Sequence, residues 1–197
     1  MRTSASALSA AFAISTISVT FGLSLAKTGI FILPFSSLTI SSGKIESYSN
    51  VKELLKSDSD ELFIVDFDAI KEGKYNFKLY TEFSKFFQIT VMNFPKRQGD
   101  LIDSMISGCE NVVLGGRIRD RDISSFIEIT ENLVMFDMDK FAIFSRLGGN
   151  MFLTRRNLMY PYKRVYTYGL SLGLPREIIL RNFPEERFME SLDFQDQ

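Results

Sequence analysis

The chain has 197 residues, 45% hydrophobic and 24% charged, which is enough apolar content to bury a core and too much for a disordered or fibrous polypeptide. Its formal net charge of −1 excludes bulk electrostatic binding to nucleic acid, which needs a strongly basic face. With no histidine and one cysteine, Cys109, it excludes Ser-His-Asp and Cys-His catalytic pairs, a histidine-based zinc site and an intramolecular disulfide. Acid–base chemistry would have to rest on Asp, Glu, Lys, Tyr or Cys109.

From Thr3 to Ala26 there is no charged residue, and the segment is long enough to span a bilayer as a helix, which takes ~20 apolar residues. Arg2 before it and Ser24-Leu25-Ala26 near its end also fit a secretory signal with a small-residue cleavage site. Its load of Ser, Thr and Ala fits instead an extra surface segment, or a start placed ahead of a native one near Lys27. Residues 1–28 are therefore set apart from a single domain over 29–197. The chain is expected in the cytoplasm, with a membrane anchor through residues 3–26 as the alternative.

Beyond it, strands and helices alternate. A strand is expected at 29–35, then a Ser/Gly-rich hairpin-like stretch at 36–47 and a helix at 50–57 capped by Asn50. A strand at 62–67 (LFIVDF) is an apolar run that stops at polar residues, as a buried parallel strand does. Phe77, Tyr80, Phe83 and Phe87 have helical spacing within 76–87. Further strands are expected at 88–92, 111–114 and 133–137, with helices at 100–107 and 120–130 between them. Residues 141–145 and 150–153 flank Gly148-Gly149 and predict a hairpin. Residues 162–172 read as a helix, 177–181 as a strand and 185–192 as a terminal helix. The alternation implies an α/β fold with parallel strands and right-handed crossovers.

The succession FILPF, ELFIVDFDAIKEGKYN, CENVVLGGRIRD, ENLVMFDMD and PREIILRNF resembles the histidine-biosynthesis barrel family. That family contains the isomerase of phosphoribosylformimino-aminoimidazole carboxamide ribotide and the cyclase subunit of imidazole glycerol phosphate synthase. The resemblance runs over most of Phe31–Phe183, is closest to the isomerase and its archaeal relatives, and is most specific at Ile64–Asn76 and Gly108–Arg117. It implies a TIM-type (β/α) barrel. Six strands match the family's first six, with PREIILRNF as the sixth, so the barrel is expected to be incomplete, since a closed one takes about 250 residues. Its two open edges then need cover, from the N-terminal segment, another subunit or a second copy of the chain; a homodimer is the expected solution.

The family's Amadori-type isomerisation pairs a general base at the end of the first strand with a general acid at the end of the fifth. The resemblance puts Asp137 at the fifth-strand position, as a candidate acid or a retained structural residue. At the first it puts Ser36, Ser37 or Thr39, none of them a carboxylate. The family's Gly-Gly-hydrophobic-Arg phosphate loop after the third strand corresponds to Asn93-Phe94-Pro95-Lys96, where Phe94 is bulky and Pro95 rigid. Lys96 and Arg97 keep positive charge there, as ligands or as solvated side chains. After the fourth strand Gly115-Gly116 stands for the family's Gly-Thr, followed by Arg117 and Arg119. The alternatives are a weak phosphate site and a tight turn that needs glycine.

Asp66 and Asp68 match the family's Asp-hydrophobic-Asp strand end. At i and i+2 they would share one strand face toward the mouth, binding a hydroxyl, a cation or an amine, or else capping loop N–H groups. Met159–Tyr168 (MYPYKRVYTY) allows nucleic-acid stacking, but its helical spacing favours a buried stripe with Lys163 and Arg164 outside. Cys109 is expected to pack as a small apolar residue. No metal and no cofactor are implied. Two functions stay open: a divergent, altered or inactive sugar-phosphate isomerase relative with a residual site for a phosphorylated small molecule, and a non-catalytic subunit acting by association.

Overall fold

A computed structural model describes residues 36–42, 44–46, 60–180, 183–184 and 186. The strands are β1 (Ser36–Ser41), β2 (Lys44–Glu46), β3 (Glu61–Asp66), β4 (Gln88–Met92), β5 (Cys109–Leu114), β6 (Leu133–Met135), β7 (Met151–Thr154), β8 (Arg164–Tyr168) and β9 (Glu177–Leu180). The helices are α1 (Phe67–Glu72), α2 (Phe77–Phe83), α3 (Gln98–Ile106), α4 (Asp120–Ile127) and α5 (Phe141–Arg146), with a 3-10 turn at Met138–Lys140.

The nine strands of the described residues join one sheet in the order β2-β1-β3-β4-β5-β6-β7-β8-β9. The short β2 folds back antiparallel on β1, and every other neighbouring pair is parallel. Eight parallel strands therefore follow one another in chain order. The sheet is curled. Neighbouring strands lie ~4.8 Å apart, so in a flat sheet β3 and β8, five places apart, would be separated by ~24 Å. Instead the Phe63 and Tyr166 rings meet with centroids 5.7 Å apart, and Arg164 Nη1 bonds Glu61 at 2.9 Å. Among the described residues β9 has no partner on its outer side, so the architecture is a half-barrel rather than a closed one.

Both faces of the sheet are covered, which explains the unbroken apolar runs of β3 and β5. On the convex face Leu62, Ile64, Ile89, Val91, Val112 and Leu114 pack under Tyr80, Leu101, Ile123, Phe126 and Phe144 of the helices. On the concave face Phe63, Val65, Met92, Val113, Val134, Leu153, Tyr166 and Tyr168 fill the interior. A polar layer crosses the interior at the strands' N-terminal end. There Tyr166 Oη and Thr90 Oγ1 lie 3.1 Å apart, and Asn111 donates to Thr90 at 3.1 Å.

Two expected elements are corrected. Residues 141–153 form no hairpin: Phe141 and Phe144, three apart on α5, face the convex core, and the chain then runs directly into β7, parallel to β6. Gly148 (φ +99°) ends the helix, and a side chain at Gly149 would collide with the Phe144 ring, so this glycine pair is a helix stop. Residues 164–168 are strand rather than helix. Tyr166 points to the concave core and Val165 is buried beside it, and the β-branched and aromatic alternation of RVYTY outweighs the chance 3.6-residue spacing. Five of the six expected parallel strands are observed, β1, β7 and β8 bring the parallel count among the described residues to eight, and PREIILRNF supplies the last of them. The expected strand at 29–35 and the helix at 50–57 lie outside the described residues, as do the segment 3–26 and, apart from residue 186, the helix at 185–192. No described helix is long and apolar enough to cross a membrane.

The crossovers between β3 and β7 carry helices, whereas the last two, residues 155–163 and 169–176, are irregular. In the first, Tyr160 stacks on Phe152 (centroids 6.2 Å apart) in a helix's place. The second is gathered by one carboxylate: Glu177 accepts from Thr167 Oγ1 (2.6 Å), Ser171 Oγ (3.0 Å), Leu172 N (2.7 Å) and Leu174 N (3.1 Å).

Candidate functional site

In a parallel sheet of this kind, the loops following the strands' C-terminal ends form the reactive surface. Here those loops share one chemical theme: an internal carboxylate takes up their main-chain N–H groups.

At the end of β3, Asp66 is fully buried. It follows Leu62 and Ile64 in the period-two alternation, so it faces the helices rather than the interior. Its Oδ1 caps α1 by accepting from Asp68 N and Ala69 N, both at 3.1 Å. Asn76 donates to it from its main-chain N (3.2 Å) and its amide (3.0 and 3.1 Å), and the Tyr80 hydroxyl adds a further bond. Burial pushes the Asp66 carboxyl above the usual value, against these hydrogen bonds, which favour the charged form. Asp68 lies in the first turn of α1, not on the strand, so the two acids do not share a strand face. It accepts from Ser42 N at 2.6 Å and from the Asn76 amide at 3.1 Å. The structure thus joins Asp66 and Asp68 through Asn76.

At the end of β4, Phe94 adopts a left-handed backbone (φ +47°), and its buried ring lies over Gly115 and Gly116. A Cβ on Gly115 would come within 2.6 Å of that ring, so this glycine permits a close approach. Lys96 N and Arg97 N both donate to Asp100 Oδ2 at 3.0 Å, so this acid in the first turn of α3 caps the chain entering it.

At the end of β5, Gly116 (φ +67°) and Arg117 (φ +64°) are consecutive left-handed residues. The N–H groups of Arg117 and Ile118 converge on Asp137 Oδ2, at 2.9 and 3.3 Å. Asp137 itself follows β6 and precedes the 3-10 turn. Burial raises its carboxyl above the usual value, opposed by the N–H groups of Arg117, Ile118 and Gly116.

Of the residues singled out from sequence, Lys96, Gly115 and Gly116 come together. With Ile70, Phe94, Pro95, Arg117, Ile118, Arg119 and Asp122 they line a pocket of about 260 Å³ between the β4 and β5 loops. Arg119 is held by Asp122, Nε to Oδ2 at 2.6 Å. Asp137 stands behind the β5 loop, and Asp66 ends a strand three places away in the sheet, so the three candidate acids form no facing pair. At the first-strand position Thr39 is buried and brings no carboxylate. Cys109 is buried in the convex core, where burial raises its thiol. Arg164, expected outside, is half-buried against Glu61.

Asp100 and Glu177 were not singled out from the sequence. The signal for Asp100 was an acid three residues past the residue before a helix, a capping position. Glu177 carried no local signal, because the loop it gathers precedes it in the chain. Among the described residues no group of three or more His, Cys, Asp or Glu side chains is placed to hold a metal ion. A scan against protein-family models matches none, and a search of curated proteins finds no match.

Proposed function

We propose that the chain is a divergent relative of the histidine-biosynthesis sugar-phosphate isomerases, acting in the cytoplasm, that has lost isomerase chemistry and keeps a side-chain anion site for a phosphorylated small molecule. The observation that carries this reading is the pocket at the ends of β4 and β5, where Lys96, Arg117 and Arg119 gather around the Gly115-Gly116 turn. Lys96 and Arg117 beside a glycine turn, with Arg119 paired to Asp122 at the pocket's edge, suit a phosphate monoester. Loss of turnover follows from the acids. Asp137 is engaged by Arg117 N and Ile118 N, Asp66 by α1 and Tyr80, and among the described residues no second carboxylate faces either across the interior.

The test is thermal unfolding with ribose 5-phosphate or inorganic phosphate at millimolar concentration. Ligand at ten times its Kd should stabilise by about 1.4 kcal/mol. Lys96→Ala and Arg117→Ala should each reduce the shift, and Gly116→Val should abolish it. An unchanged transition across the whole panel would refute the anion site, and isomerase turnover would refute the loss of chemistry.

A second reading, action by association, draws on exposed apolar side chains. Phe86 (48% exposed), Ile102 (40%) and Ile106 (77%) sit on the turn before β4 and on α3. Sedimentation of wild type and Ile106→Glu tests it: a dimer in the first and a monomer in the second would favour association, and two monomers would count against a homodimer.

A further inference from the structure

We infer that Asp137 is a built-in competitor of the anion site: its carboxylate holds the main-chain N–H groups of Arg117 and Ile118 that an external oxyanion would use, so strong binding at the β5 loop requires Asp137 to be displaced. This rests on the reading of that corner as an anion site and adds how the site is held shut. Two N–H groups of consecutive residues aimed at one oxygen, at 2.9 and 3.3 Å, are the arrangement by which a backbone concavity binds an anion. The oxygen there belongs to the protein itself. The concavity depends on left-handed angles at both Gly116 and Arg117, a conformation that is strained for a residue with a side chain.

The geometry also lets the acid leave. Asp137 lies between the end of β6 and a three-residue 3-10 turn, and its own side chain caps no helix. Its bond from Arg117 is at the surface. The cations lining the pocket, Lys96, Arg117 and Arg119, lie on the same loops, so an incoming oxyanion finds positive charge whether or not the main-chain N–H groups are open. With Asp137 in place it is met by side chains alone. With Asp137 withdrawn it gains two directed donors.

The experiment uses the full chain with sulfate and inorganic phosphate as probes, read by amide chemical shifts of Arg117 and Ile118 and by thermal unfolding. Wild type should bind weakly. Asp137→Ala should bind at least tenfold more tightly, with both amides moving on titration. Asp137→Asn, which keeps an acceptor oxygen without the charge, should fall between and covers the case in which the alanine variant fails to fold. Asp139→Asn removes the same unit of charge nearby without freeing either N–H, and should change affinity less than twofold. Equal gains in the Asp137 and Asp139 variants, or no gain in either Asp137 variant, would overturn the inference. If wild type binds and Lys96→Ala loses binding while the Asp137 variants match wild type, the anion site stands and the competitor falls. If no protein binds either probe, both fall.

Discussion

Asp66 ends one strand and Asp137 follows another of the same sheet, and each collects main-chain N–H groups, but their surroundings set them apart. Asp66 faces the helix layer, is closed off from water and is held from α1, Asn76 and Tyr80 together. Asp137 is half-buried and serves one loop, through bonds of 2.9 and 3.3 Å, the first of them at the surface. A carboxylate locked by several elements is part of the fold. A carboxylate that serves one exposed loop can be exchanged for another anion.

The largest effect that could break this comparison is Asp66→Ala. It strands the buried Tyr80 hydroxyl and the Ala69 N–H of α1 and removes two of the Asn76 amide's bonds, and should cost about 3–5 kcal/mol in urea unfolding. A loss below about 1 kcal/mol would make Asp66 no more structural than Asp137. Gly115→Ala comes next, at about 1–3 kcal/mol, because the added methyl meets the Phe94 ring. Asp137→Ala should cost only about 1 kcal/mol, since water reaches the freed Arg117 N–H.

Glu177 sharpens the contrast through pH. Burial raises its carboxyl, but the bonds from Thr167, Leu172, Ser171 and Leu174 outweigh that and leave it below the ordinary value of 4.5. The stability it supplies is therefore present above pH 4.5 and lost as pH falls through the folded value. Glu177→Gln should cost about 1 kcal/mol at pH 7, a difference that shrinks in acid. Asp66 and Asp137 act in the opposite sense. Their folded values lie above 3.8, so the folded chain holds their protons more tightly than the unfolded chain. Their contribution to stability grows as pH falls through the folded values toward 3.8. Urea unfolding of wild type and the three single variants between pH 7 and pH 3.5 separates the two signs.

Much of the scaffold was legible in the sequence because both faces of its strands are covered. Gln88–Met92 was read at its observed bounds, and the strands at β3 and β5 were found from their unbroken apolar runs. The hairpin-like reading of 36–47 matches the β1–β2 pairing. The misreadings fell where periodicities compete. Phe141 and Phe144 pack as a helix in a stretch too short for its period to stand out, and Tyr166, four residues after Tyr162 and two before Tyr168, fits both a 3.6- and a 2-residue spacing. In the candidate site, the Gly115-Gly116 turn and Lys96 were legible as residues. What each carboxylate binds was not, because it depends on partners brought from elsewhere: Asp137 reaches back to the β5 loop, and Asp66 forward to Tyr80.

The most direct measurement is the amide chemical shift of Arg117 and Ile118 across pH 7 to 3 in wild type and Asp137→Asn. If one carboxylate holds both N–H groups, the two signals move together with a single midpoint above 3.8, and the movement disappears in the variant. Signals that stay still in wild type, or titrate identically in Asp137→Asn, would mean that Asp137 does not occupy the loop.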